Sequence, residues 1–158
     1  MKRFVGMVLL VAVFSICLSF TGCKATQYVA TTTISKSNDG GETYGSGKME
    51  FQVGKKCYVK VLIKVESTSS KTEEIGVDIV IPILKNTETY LMKGQNVTEK
   101  VDEKNKTYHV IIPASKNSVE NEFVFQFDLI SKGNVSISIT YDDKIPTSSD
   151  VIDGFVIV

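Results

Sequence analysis

Tryptophan is absent from these 158 residues, histidine occurs once, and there are only three cysteines and three prolines. Each scarcity closes off a class of chemistry. One histidine, His109, leaves neither a His-rich metal site nor a choice of base for a Ser-His-Asp set. Of the cysteines, Cys17 and Cys23 belong to an apolar N-terminal stretch, so Cys57 has no bridge partner in the body of the chain. Net charge is also missing: 18 basic residues face 18 acidic ones, which excludes a strong electrostatic footprint for nucleic acid or for anionic lipid. No Gly-rich phosphate loop, no 3.6-residue amphipathic period, no repeat and no low-complexity tract interrupts this picture. No metal and no cofactor is expected.

The most informative stretch is Phe20-Thr21-Gly22-Cys23. Lys2 and Arg3 form a positive start, and Phe4 to Phe20 follow as 17 uncharged, mostly apolar residues, then small residues and a cysteine. That order is an export signal rather than a folded element. It is shorter than the ~20 residues of a spanning helix. It resembles the lipobox of bacterial lipoproteins, in which Cys23 is acylated and becomes the first mature residue. Gly22 supplies the small side chain beside the cleaved bond, and Phe20 stands where such signals usually carry Leu. The resemblance implies residues 1–22 as signal, 23–26 as a lipidated Cys and short tether, and 27–158 as one domain outside the cytoplasm. Residues 23–158 keep 16 of the 18 basic residues and all 18 acidic ones, a balance of −2. Two or three acyl chains, at ~0.8 kcal/mol per buried CH₂, hold a domain on a bilayer.

Beyond the signal, apolar and polar residues alternate with a period of two. Cys57, Val59, Val61, Ile63 and Val65 share one face, with Tyr58, Lys60, Lys64 and Glu66 on the other. Ile75, Val77, Ile79 and Ile81 repeat the pattern up to Pro82, which is expected to break the strand or place it at an edge. Tyr108, Val110 and Ile112 run to Pro113. Phe123, Phe125, Phe127 and Leu129 are joined to Val135, Ile137, Ile139 and Tyr141 by Ser131-Lys132-Gly133-Asn134, which reads as a hairpin turn with Gly133 left-handed. A shorter strand carries Met49, Phe51 and Val53. Weaker ones fall at 88–93, 154–158 and 27–34, the last a Thr-rich edge ending in an Asp39-Gly40-Gly41 turn. Eight or nine short strands, each with one wet and one apolar face, predict an all-β protein with two antiparallel sheets packed face to face.

This arrangement resembles the Ig-like modules of bacterial cell-surface and adhesion-related proteins. The likeness covers residues 47–142 and sits in Tyr58-Val-Lys-Val-Leu-Ile-Lys-Val-Glu-Ser, Gly76-Val-Asp-Ile-Val-Ile-Pro82, Ile111-Ile-Pro113 and Glu122-Phe-Val-Phe-Gln-Phe-Asp128. It implies a single Ig-like sandwich with a binding or spacing role, and carries over no functional residue.

Chemistry-bearing residues are few. His109 on its strand reads as a surface or inter-sheet histidine, and Cys57 among aliphatics as an inert buried thiol. Asp142-Asp143 with Asp150 and Asp153, and Asp102-Glu103, read as solvated turn acids, since no calcium-loop spacing is present. The Asn96, Asn105 and Asn134 sequons are fortuitous in a bacterial cell. Leu62, Val80, Ile111 and Val124 are aliphatics on nominally wet faces; if adjacent in space, they form an interaction patch.

The expected function is therefore non-enzymatic: an envelope lipoprotein whose sandwich binds an envelope or extracellular protein, or serves as an assembly part. A first strand near Gln27 leaves about four residues of tether, a reach of ~13 Å, which favours a nearby partner. Two alternatives differ in class. A lipocalin-like carrier requires an internal cavity, although its usual Gly-x-Trp signature is absent. An inhibitor of secreted hydrolases would work through its loops.

Overall fold

A computed structural model describes residues 25–145 and 151–158. The N-terminal signal and Cys23 lie outside the described residues, as does Asp150. Ten strands follow one another: β1 (Tyr28–Ser37), β2 (Glu50–Phe51), β3 (Lys56–Ser67), β4 (Glu73–Pro82), β5 (Thr87–Lys93), β6 (Val97–Val101), β7 (Asn105–Ala114), β8 (Asn121–Leu129), β9 (Gly133–Tyr141) and β10 (Val151–Ile157). They form a four-stranded sheet, β1-β3-β8-β5, and a six-stranded sheet, β2-β10-β9-β4-β7-β6. The expected β-sandwich is present. Its pairing is antiparallel except between β10 and the two-residue β2, which run parallel.

Alternation builds the core. In β3 the residues Cys57, Val59, Val61, Ile63 and Val65 are each 0% exposed, and β4, β7, β8 and β9 bury their own alternate positions in the same cluster. Aromatic rings tie the layers together: Tyr108 on β7 meets Phe125 on β8 at 5.0 Å between centroids, and Phe127 on β8 meets Phe155 on β10 at 5.3 Å. These pairs add to the burial term because edge and face carry opposite partial charge. Burial also pushes the Tyr108 hydroxyl up to about 12.

Several sequence expectations change. The link from Leu129 to Gly133 is no hairpin, because β8 pairs with β3 and β5 while β9 pairs with β10 and β4. It carries the chain from one sheet to the other. Gly133 has φ of 155°, a positive value that favours glycine, and a Cβ there would stand 2.3 Å from Asn86 Nδ2. Glycine is needed for close approach. Pro82 does not make β4 an edge: β4 lies between β9 and β7. Pairing with β9 covers only Val77–Val80, so the missing N–H of Pro82 interrupts no ladder on that side. Pro113 is likewise accommodated, inside β7 but past Val110, where pairing to β6 ends. Of the 49–53 strand, only Glu50–Phe51 pairs; Phe51 is buried and Val53 is 40% exposed. Among the described residues the strands number ten rather than eight or nine, because β6, with its largely exposed Val-Thr-Glu-Lys-Val, gives no sign of itself in the sequence.

Candidate functional site

The outer face of the four-stranded sheet is built by the residues that alternate with the core. Strand pairing sets Tyr58 of β3, Gln126 of β8 and Tyr90 of β5 in one cross-strand row. The next row carries Lys60 and Val124, and the next Leu62 and Glu122. Tyr44, from the loop after β1, lies over this surface with the Lys60 ammonium 4.1 Å from its ring centroid. Tyr90 is 43% exposed and Met92, the unpaired residue of a bulge in β5, 57%, whereas Tyr58, Leu62 and Val124 are half-buried and Gln126 is buried between the tyrosines. Ion pairs flank the face, Lys93 to Glu122 at 2.9 Å and Lys64 to Glu66 at 2.6 Å. Burial and then the Glu122 charge raise the Tyr44 hydroxyl above the ordinary phenol range. The Glu88 carboxylate, accepting the hydrogen bond of Tyr90, does the same for that residue. Both phenols stay neutral donors at physiological pH. Tyrosine, methionine and aliphatics inside a charged margin are the composition of a protein-binding surface.

The four aliphatics of the expected patch are divided. Leu62 and Val124 share this face, one cross-strand step apart diagonally. Val80 and Ile111 lie on the outer face of the six-stranded sheet, on β4 and β7, and Ile111 stands opposite Gly76 rather than Val80. The structure brings together two of the four.

That second outer face is different in kind. Ser136, Ser138 and Thr140 of β9, Asp78 of β4, Thr107 and His109 of β7, and Thr98 of β6 point outward there. His109 Nδ1 lies 2.7 Å from Asp78 Oδ1, with the side chains 39% and 44% exposed. The ring lies over Gly76, where a Cβ would approach His109 Cε1 to 3.2 Å, and the Gly76 N–H donates to Asp142 at 3.1 Å. An Asp–His pair requires a nucleophile or an activated water to do chemistry. Among the described residues, no hydroxyl is hydrogen-bonded to this imidazole, and no three His, Cys, Asp or Glu side chains gather as metal ligands. Asp142 and Asp102 act as turn acceptors, Asp102 for the N–H groups of Lys104 and Asn105 at 2.7 Å each.

One charged pair went unforeseen. Lys36, 0% exposed, donates to Asp153 Oδ2 at 2.7 Å and to the Gly47 carbonyl at 2.9 Å. It joins β1 of one sheet to β10 of the other and pins the 38–49 loop. The signal was available: Lys36 shares its parity with Ile34, so a strand continued past residue 34 turns it inward. Cys57 is buried, and desolvation pushes its thiol up to about 12 despite the nearby Lys36 charge. This is the inert thiol that its neighbours imply. The exposure of Tyr90 and Met92 is not legible in the sequence, because their strand carries too few apolar residues to reveal its inward face.

No family model and no curated protein matches the chain. Among solved structures, a cohesin module of a Clostridium perfringens family 33 glycoside hydrolase is 14% identical over 83% of this chain and 98% of that one, with a TM-score of 0.41. BcpA, the major pilin subunit of Bacillus cereus, is 9% identical over 83% of this chain and 40% of its own, with a TM-score of 0.40. A β-glucosidase from Listeria innocua is 10% identical with a TM-score of 0.42; the match covers 84% of this chain and 16% of that enzyme. Similarity at this level assigns neither a family nor an activity.

Proposed function

We infer that this chain is a non-enzymatic, lipid-anchored envelope module that binds a protein partner through the outer face of its four-stranded sheet. The observation that carries the reading is the row Tyr58–Gln126–Tyr90, continued by Val124, Leu62, Met92 and Tyr44 on adjoining segments. Tyr and Met bury large area at low entropic cost, and the neighbouring ion pairs give a docking partner its orientation. Anchoring through Cys23 rests on the lipobox-like run alone and is part of the proposal. Such a tether confines the module to a bilayer and raises the effective concentration of any partner sharing that surface.

A photo-crosslinking side chain placed at Tyr90, and separately at Ser138 on the opposite face, tests this in the producing cell. Position 90 is expected to yield one discrete adduct that position 138 does not. Equal labelling from both positions, or none from 90, contradicts it. The anchor is tested separately: the chain should incorporate labelled fatty acid and Cys23→Ser should not, whereas equal labelling of the two, or none of either, contradicts the anchor.

A further inference from the structure

The two ends of the sandwich are unlike. At the end where β1 starts, the loops at 68–72, 115–120 and 142–145 mix lysines with Glu120, Asp142 and Asp143. On a chain with no overall charge for an anionic surface, lysines gather locally at the opposite end: three turns meet there, beside the 38–49 loop that brings Asp39 and Glu42. Gly54 N donates to Leu129 O at 2.7 Å, Leu129 N to Lys55 O at 3.1 Å, and the N–H groups of Ile130 and Ser131 to Asn86 O at 2.8 and 3.3 Å. The turns at 52–55, 83–86 and 130–132 are thus held side by side. Each presents an exposed aliphatic residue, Val53 at 40%, Ile83 at 44% and Ile130 at 51%. Each also presents an exposed lysine: Lys55, Lys85 and Lys132. None of the three turns contains a carboxylate. Lys104 adjoins, its carbonyl accepting from Ile83 N at 2.6 Å, and Asp102 and Glu103 bound the cluster on that side.

We propose that this tip docks on an anionic lipid bilayer, the aliphatics entering the headgroup boundary and the lysines meeting the lipid charge. Composition separates it from the Tyr-Met face. Protein interfaces are depleted in lysine and enriched in aromatics and arginine, and these three turns hold lysine and aliphatics with neither of those. Lysine stems lie along apolar surface while their ammonium groups reach outward, the disposition of an interfacial anchor. An acidic protein would use the lysines and leave Val53, Ile83 and Ile130 idle. The tip is the part of the body furthest from β1's start, since the 12-residue β3 alone spans ~40 Å. It is free to meet a second surface while the N terminus is held at another.

Among the described residues the core lies between Ile34 and Ile157, so residues 25–158 carry it and can be tested without any N-terminal lipid. Flotation with phosphatidylglycerol–phosphatidylcholine vesicles is compared with phosphatidylcholine alone. The fragment should float only with the anionic vesicles, and less as salt rises. Replacing Lys55, Lys85 and Lys132 by Glu should weaken flotation at least about 100-fold, since each lysine near the surface contributes ~1 kcal/mol. Val53→Ser, Ile83→Ser and Ile130→Ser together should weaken it about tenfold and leave the salt dependence in place. Failure to float with anionic vesicles at low salt overturns the proposal, as does undiminished flotation of the Glu variant. Binding to soluble polyglutamate that matches vesicle binding and ignores the three Ser changes also overturns it, pointing to an acidic protein instead. All variants retain the Tyr90 face, so crosslinking there reads the other proposal independently.

Discussion

The two outer faces of the sandwich rest on one core and obey the same alternation, yet they present opposite surfaces. On the four-stranded sheet, the positions between Val59, Val61 and Ile63, and between Phe123 and Phe125, are Lys60, Leu62 and Val124, with Tyr58, Tyr90 and Met92 around them. On the six-stranded sheet, those between Val135, Ile137 and Ile139 are Ser136 and Ser138, and Thr140, Thr107 and Thr98 extend the polar field. That face also holds Val80 and Ile111, half-buried as Leu62 and Val124 are, and Ile152 at its β10 margin, 71% exposed. Short hydroxyl side chains leave a surface well satisfied by water. Tyrosines, a methionine and branched aliphatics leave one that gains by being covered. Burial of the inner faces therefore decides the fold, and the choice of outward residue decides what each side presents to solvent.

The harshest way to break the comparison is to remove what both faces share. Phe127 is 0% exposed and its ring touches Phe155 of the other sheet, so Phe127→Ala should cost about 3–5 kcal/mol and loosen both faces together. Denaturant unfolding at fixed m-value measures it.

A smaller effect should come from the pair that joins the sheets at β1 and β10. Asp153→Ala strands the buried Lys36 ammonium and should cost about 2–3 kcal/mol, below the ~3–5 of a fully buried pair because Asp153 is 30% exposed. Lys36→Met, an apolar side chain of similar length, should change stability by less than about 1 kcal/mol. Equal losses from the two variants contradict this account of the pair.

The comparison is sharpened by leaving the core alone. Tyr90→Ser with Met92→Ser should reduce partner binding by about 30-fold or more, ~2 kcal/mol, while stability stays within ~0.5 kcal/mol. Ser138→Ala on the other face should change neither. Titration of partner by each purified variant, with thermal melts alongside, reads both quantities.

Acid gives the mildest test. Ser37 and Thr43 hydroxyls, then the Thr43 N–H, hold the Asp39 carboxyl well below the ordinary value of 3.8. Because the folded value is the lower one, the stabilisation is complete above pH ~4 and fades as pH falls further, toward the folded value. The loop from residue 38 to 49 carries Tyr44 onto the four-stranded face. Amide protection factors, corrected for the intrinsic rate at each pH, should therefore fall in residues 38–49 below pH 4 and hold in β9. Asp39→Asn should remove the difference.

Much of this was legible in the sequence because parity is local. Cys57 to Val65, Ile75 to Ile81 and Phe123 to Leu129 announce their inward faces without any knowledge of neighbours. Sheet membership is not local, and there the sequence reading failed. Leu62, Val80, Ile111 and Val124 share outward parity, but a polar turn at 130–132 that carries the chain between sheets looks just like one that makes a hairpin. The expected patch was consequently divided between two faces. Strand β6 escaped because an edge strand with one partner needs no apolar alternation, and Val97 and Val101 are too far apart to display any. Lys36 escaped because a charged residue at an inward position reads as a strand's end until a carboxylate from the far end of the chain is placed beside it.

The central claim is that one outer face is covered in place and the other is not. Hydroxyl-radical footprinting of the chain in its native envelope, compared with the isolated domain, reads this residue by residue. Met92, Tyr90 and Tyr58 should be protected in the envelope while Ile152 and Thr140 oxidise equally in both. Unprotected Met92 and Tyr90, or protection of Thr140 in their stead, would contradict the account.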